Sequence, residues 1–304
     1  MDGPGSVPDR PPGSTLIASI DVEWSKNYRI KNGNRAFCYS IIWLTVPTSR
    51  RRSWNPTRLR FHYTSAYLDH EDERHELVTM AAADLTAAQK ADHLAGHQLC
   101  SDLAVMAANT TPDTPQPVTD THMAWRTRRS NSHQWMIDTR FDAGHLLTGP
   151  SRRLVDVCDE LGLDVTQPEL CRTSMTALHR RWLDHHDTEA RERITVLNLR
   201  HSLSTALVAA RALGGLRRTP FNVNTLLAAN LGTQLGWLAH PTFLALTKET
   251  PCRSVAVSSS RSKAPMPPER PPSPTRWSPA TAPVELSPPA PANPPAPAHS
   301  SKRS

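Results

Sequence analysis

Long apolar runs are missing from this sequence. No stretch approaches the roughly 18 residues that a membrane-spanning helix requires, and the N-terminus carries no apolar signal segment. A soluble, cytoplasmic protein is the expectation. Cysteine is scarce as well. Its five copies (Cys38, Cys100, Cys158, Cys171, Cys252) are scattered, odd in number and form no Cys-x-x-Cys pair. That excludes a disulfide framework or a zinc ribbon and favours reduced thiols. Also absent are a Walker loop, a dinucleotide fingerprint and a nucleophile elbow, which removes the nucleotide-hydrolase, dehydrogenase and serine-hydrolase classes. The formal charge of +7 is no signature of nucleic-acid binding either. Seven Lys/Arg against two Glu lie beyond residue 250, so most of the excess belongs to the C-terminal segment. The remainder is nearly balanced.

What is present is a chain of 304 residues, enough for one core of about 200 to 250 residues plus a tail. Residues 1–13 are rich in Gly and Pro and read as a disordered leader. From 249 to 304 the sequence is Pro-rich and basic, with 15 of the 28 prolines after residue 250. Such a segment buries too little apolar surface to offset its ordering entropy, and it too reads as disordered. Between them, residues 14–215 form the expected domain and 216–248 a C-terminal helical extension.

The domain is organised around Leu16-Ile17-Ala18-Ser19-Ile20-Asp21-Val22-Glu23-Trp24, a buried strand with two carboxylates at its end. Alternation along a strand puts Asp21 and Glu23 side by side on one face. Carboxylates that close repel unless a cation lies between them, and oxygen ligands suit Mg²⁺ or Mn²⁺. Further strands are expected at 36–44, after a polar Asn-Gly turn at Asn32-Gly33, and around Leu59–Tyr63. The period then changes: Glu76–Leu85 is a helix running on towards Ala91. Residues 95–106 read as a loop entering a short helix, 109–121 as a long loop, and Trp135–Thr139 as a strand. Ser151 is expected to cap a helix over Arg152–Leu161 that Gly162 ends. A helical region from Ser174 has its strongest part at Ile194–Leu213 and closes at Gly214-Gly215. Phe221–Leu246 reads as a helical hairpin. The pattern is α/β, a mixed sheet covered by helices.

Three pieces carry a resemblance. They are Ile20-Asp21-Val22-Glu23; Gly96-His97-Gln98-Leu99-Cys100-Ser101-Asp102; and Ile137-Asp138-Thr139 followed by Leu154–Leu163. In order and spacing they resemble the DEDD superfamily of 3′–5′ exonucleases, of the proofreading and ribonuclease T type, over roughly residues 15–213. The resemblance implies a ribonuclease H-like sheet of about five strands and two bound Mg²⁺ or Mn²⁺ ions. It also implies hydrolytic removal of nucleotides from 3′ ends of single-stranded DNA or RNA. Asp21, Glu23 and Asp102 become the implied metal ligands. Family members end with an acid on a late helix, preceded by a His or Tyr that handles the attacking water. Here the late helix, Asn198–Ala210, has no acid: in the Tyr-type register His201 stands at the acid position. Upstream, His179 and Asp184 have the His-x-x-x-x-Asp spacing. The water activator thus stays open between His179 and residues near His201. Trp24, Lys26, Tyr28 and Arg29 interleave bases with aromatics beside the acids and, with His97, are candidate contacts to a terminal nucleotide. Without the fourth acid, an exonuclease-like fold that binds nucleic-acid ends without turnover is the alternative reading.

One prediction needs only composition. Truncation after residue 250 should leave the thermal midpoint unchanged, because exposed polar backbone there has nothing to lose; a fall of several degrees would mean that the tail packs.

Overall fold

The computed structural model describes residues 5–26, 33–48, 59–112, 116–127, 135–216, 219–232 and 234–248. Strand β1 (Ser14–Lys26) is central in a five-stranded mixed sheet of order β3-β2-β1-β4-β5. β2 (Asn34–Pro47) runs antiparallel to it, from Ser14 opposite Pro47 to Lys26 opposite Asn34, and β3 (Phe61–Tyr67) antiparallel to β2. On the other side β4 (His93–Gly96) and β5 (Met136–Asp138) are parallel to β1. This is the α/β architecture expected, a mixed sheet flanked by helices and consistent with a ribonuclease H-like fold.

Nine α-helices are described: α1 (Arg74–Ala88), α2 (Leu99–Ala108), α3 (Pro117–Thr127), α4 (Thr139–Asp142), α5 (Leu154–Glu160), α6 (Met175–His185), α7 (Thr188–Ala212), α8 (Val223–Leu231) and α9 (Pro241–Lys248). Two short parallel strands, β6 (Leu163–Asp164) and β7 (Phe221–Asn222), form a separate ladder. Among the described residues no helix is long and apolar enough to cross a membrane.

The alternation of β1 divides the core. Leu16, Ala18, Ile20 and Val22 join Leu77, Val78, Ala81 and Leu85 of α1 with Leu99 and Leu103 of α2. Ile17 joins Val196, Leu199 and Leu203 of α7 on the opposite face. Both faces of β1 are therefore covered, which explains its near-continuous apolar sequence. At about 1.5 to 3 kcal/mol per fully buried large aliphatic side chain, these two layers dominate the favourable side of folding.

Helix α7 lies across β1 and β2 and is almost wholly buried between Val196 and Arg211. Its sheet-side residues include Ser202, Ala206 and Ala210, small enough for close approach. The Ser202 hydroxyl sits 2.7 Å from that of Ser40 on β2. Asp187 caps its start by accepting from the Ala190 amide at 3.0 Å, and Gly214, at φ +76°, reverses the chain after its end.

Four local expectations need correction. Residues 93–96 are a strand, so Ala95 and Gly96, expected to open a loop, end β4 instead; four residues are too few to show a period. The Pro- and Thr-rich segment expected as a loop contains α3, which begins at Pro117, where proline's fixed φ suits a first helical turn. Phe221-Asn222 is a strand, so the C-terminal hairpin starts later. Helix α5 begins at Leu154 with Arg153 at its cap, and the Ser151 hydroxyl instead donates to Asp156 at 2.5 Å.

Residues 219–248 share the α7 core. Val223, Leu226, Leu227, Trp237, Leu238 and Phe243 cluster with Leu199, Leu203 and Leu207. A charged clamp ties the same parts. Arg200 of α7 and Glu169 have fully buried side chains and pair through two N–H···O bonds of 2.6 Å. Asn224 accepts from Arg200 Nε at 2.7 Å, and Trp237 Nε1 donates to Glu169 at 3.0 Å. Removing one partner strands a buried charge. Arg200→Leu should therefore cost about 3–5 kcal/mol in urea denaturation, and adding Glu169→Leu should recover most of it.

Candidate functional site

The acids stand where the parallel strands end, at the pole of the sheet where open α/β sheets place ligands. Asp21 and Glu23 project from β1 towards α7 and are 9% and 6% exposed. Opposite them, one face of α7 presents Asn198 and His201, three residues apart and hence neighbours on the helix surface. Asn198 donates from Nδ2 to Asp21 Oδ2 at 2.7 Å and to the Asp21 carbonyl at 3.2 Å. His201 Nδ1 lies 3.2 Å from Glu23 Oε1 and 3.5 Å from Asp21 Oδ2. Ligand atoms of Asp21, Glu23 and His201 all fall within 4.8 Å of one another.

The second motif is held by its own glycine. A Cβ on Gly96 would meet Leu99 Cδ1 at 2.7 Å and Leu99 Cβ at 2.8 Å, so only glycine lets α2 start this close to β4. Gln98 is left-handed at φ +66°, and Asp138 Oδ1 accepts its amide at 3.0 Å. This turn delivers Asp102, in the first turn of α2 and 2% exposed. Its Oδ2 has no hydrogen-bond partner. Burial first, then the charges of Asp21 and Glu23, push its carboxyl well above the usual range. Glu23 is raised to about 7 by burial and by Asp21, against the lowering effect of His201. Burial alone would lower His201, but its bonds to Asp21 and Glu23 prevail and raise it to about 10. Among the described residues no Lys or Arg pairs with Asp21, Glu23 or Asp102, so His201 is the cation beside them.

Other expected residues stand elsewhere. His179 is stacked on Phe37 at 3.9 Å and bonds Tyr67 through Nδ1 at 2.9 Å, with Glu71 at 3.8 Å from its other nitrogen. Burial holds it down to about 4. Asp184 is exposed near the end of α6. The structure brings His201, and neither His179 nor Asp184, into the cluster with Asp21 and Glu23. His97 is committed as well: Nε2 donates to the Arg152 carbonyl at 2.9 Å, leaving Nδ1 for the Thr139 hydroxyl at 3.0 Å. It fastens the loops around the acids rather than offering a free ring to a nucleotide. Trp24 is half-buried against the apolar cluster that lines α1 and α2, since the residue after Glu23 turns to the other face. Lys26 is exposed at the end of β1. Tyr28 and Arg29 lie outside the described residues.

Two polar residues at the site escaped the sequence reading. Asn198 had a signal, its i, i+3 relation to His201. Gln167, whose Nε2 lies 2.9 Å from His201 Nε2, had none, being a loop residue 34 positions away.

The donor set bears on which ion fits. Two carboxylates and one imidazole can hold a single divalent ion, and the nitrogen shifts preference from Mg²⁺ towards Mn²⁺ or a later transition metal. The unpartnered, buried oxygen of Asp102 is a further acceptor that an ion would satisfy.

A raised carboxyl pKa means that folding favours the protonated form. Its stabilising contribution is complete below about pH 4, the unfolded value, and is lost as pH rises towards the folded value. Asp102→Asn should thus raise the thermal midpoint at pH 7 in the presence of chelator, with the gain vanishing near pH 4. Equal midpoints at both pH values would place Asp102 in a solvated environment. No family model matches this chain, and no curated protein matches it.

Proposed function

We propose that this chain is a divalent-metal-dependent nuclease that removes nucleotides from 3′ ends of single-stranded DNA or RNA. The observation that carries the reading is the meeting of Asp21 and Glu23 with His201, their ligand atoms within 4.8 Å of one another, with the buried Asp102 in electrostatic reach and, among the described residues, no Lys or Arg to balance them. Buried acids without Lys or Arg partners are costly to a fold, and they persist where an ion compensates them. Rigid elements supply all three, as a positioned phosphodiester site requires. A bound divalent ion supplies Lewis acidity towards a phosphoryl oxygen and makes water nucleophilic near neutral pH. Asp21 and Glu23 would hold that ion, with His201 standing where the resembled family has its last acid. Asn198 fixes the Asp21 carboxylate through its 2.7 Å bond and so sets the direction of the ligand oxygen. Mn²⁺ fits this donor set better than Mg²⁺.

A second reading has its own observation. His201 is raised to about 10 between the two acids, so near neutral pH the cluster carries its own cation. An exonuclease-like module that binds strand ends without cleaving them is consistent with that balance.

The two readings part in one assay. With Mn²⁺ the protein should shorten 5′-labelled single strands from the 3′ end, and Asp21→Ala should abolish this almost completely. His201→Asp should raise the Mg²⁺-supported rate, because a carboxylate replaces a nitrogen that Mg²⁺ binds poorly. Wild-type protein that retains labelled strands yet releases no mononucleotide with either ion would leave the binding module standing.

A further inference from the structure

We infer that Gln167 is the positioning residue that fixes the His201 imidazole for metal binding through Nδ1, making the centre a mixed nitrogen–oxygen site selective for Mn²⁺ or Co²⁺ over Mg²⁺. The inference rests on the proposed metal site, but not on its cutting nucleic acid. An imidazole that binds a metal through Nδ1 must carry its proton on Nε2, and that N–H needs an acceptor. Gln167 faces Nε2 at 2.9 Å. In the structure the amide nitrogen is the atom placed towards Nε2, while Nδ1 faces Glu23; a protonated His201 carries N–H on both nitrogens and therefore calls for an acceptor at Gln167. A half-turn of the amide presents the carbonyl oxygen at the same distance, moves the preferred proton to Nε2 and frees the Nδ1 lone pair for a metal. Glutamine serves both arrangements; an aliphatic side chain serves neither.

The loop that carries Gln167 is anchored for this purpose. Pro168 and Glu169 follow it, and Glu169 is clamped to Arg200, the residue beside His201 in sequence. Arg193, two turns earlier on α7, donates from Nε to the Glu169 carbonyl at 3.0 Å. Gln167 and His201 are thus fixed to the same helix from both sides. Asp102, 2% exposed and within electrostatic reach of both acids, adds a buried carboxylate whose Oδ2 has no partner among the described residues.

The test uses the full chain stripped of metal. Free Mn²⁺ is followed by its electron paramagnetic resonance signal, Co²⁺ by visible absorption and Mg²⁺ by calorimetry. Wild type should bind Mn²⁺ at least about tenfold more tightly than Mg²⁺, and His201→Asp should remove most of that preference. Gln167→Leu should weaken Mn²⁺ binding by about 10–100-fold, the usual consequence of losing the partner behind a histidine ligand. Its melting in chelator should stay close to wild type. Gln167→Glu, an acceptor, should match or exceed wild-type affinity. Mn²⁺ affinity of the Leu variant within twofold of wild type would overturn the inference, as would a wild type that binds no Mn²⁺. Should the Leu variant fail to fold, a Glu variant weaker than wild type would overturn it as well. Metal binding with this dependence but no nucleotide release upholds the inference and refutes the nuclease reading. Nucleotide release indifferent to Gln167→Leu does the reverse.

Discussion

Helix α7 rests on β1 and β2 through a row of side chains that are either small or hydrogen-bonded, and the remaining architecture depends on that contact. Ser202 meets Ser40, Asn198 meets Asp21, and His201 meets Glu23. These bonds sit in a layer otherwise sealed by Val196, Leu199, Leu203 and Ala206. A polar bond in such surroundings contributes a modest net gain when made and costs more when broken. The row therefore specifies the register of α7 on the sheet more than it adds to stability. Sliding the helix by one turn would leave Asn198, His201 and two carboxylates without partners. The same register brings Arg200 to Glu169, so the C-terminal helices inherit their placement from it.

The candidate site is a local violation of the rules that make the core. Asp21, Glu23 and Asp102 are buried acids in a protein where Arg200 and Glu169 are matched to each other, Asp84 accepts from the Gly5 amide and the Tyr39 hydroxyl, Asp138 accepts from the Gln98 amide, and Arg211 donates to the Thr219 carbonyl. Such concentrated electrostatic cost is a signature of function rather than of folding. His201 offsets part of it, and the balance between this imidazole and a divalent ion decides what the cluster can do.

Much of this was legible in the sequence because long elements announce their period. β1, β2, α1 and α7 span many residues, and their burial patterns repeat often enough to be read. β4, β6 and β7 contain two to four residues each, too few for any period, and only tertiary pairing makes them strands. The acids were legible for the same reason as β1: Asp21 and Glu23 end an otherwise apolar strand. His201 could be placed by register on α7. His179 and Asp184 have the linear spacing without the surroundings: α6 turns His179 onto Phe37 and Tyr67 and leaves Asp184 exposed. Gln167 belongs to no periodic element and could only be found through the fold, which brings its loop against α7 by way of the Glu169 clamp.

The two sides of the cluster come from opposite ends of the domain. Asn198 and Asp21 are 177 positions apart, His201 and Glu23 178. A chain emerging from the ribosome at about 5–20 residues per second has its first acids exposed long before α7 exists to cover them. Until then Asp21 and Glu23 are the solvated end of an unpaired-faced sheet. No shorter nascent fragment can present a finished cluster, so the order of synthesis itself keeps the centre unassembled until the domain is nearly whole.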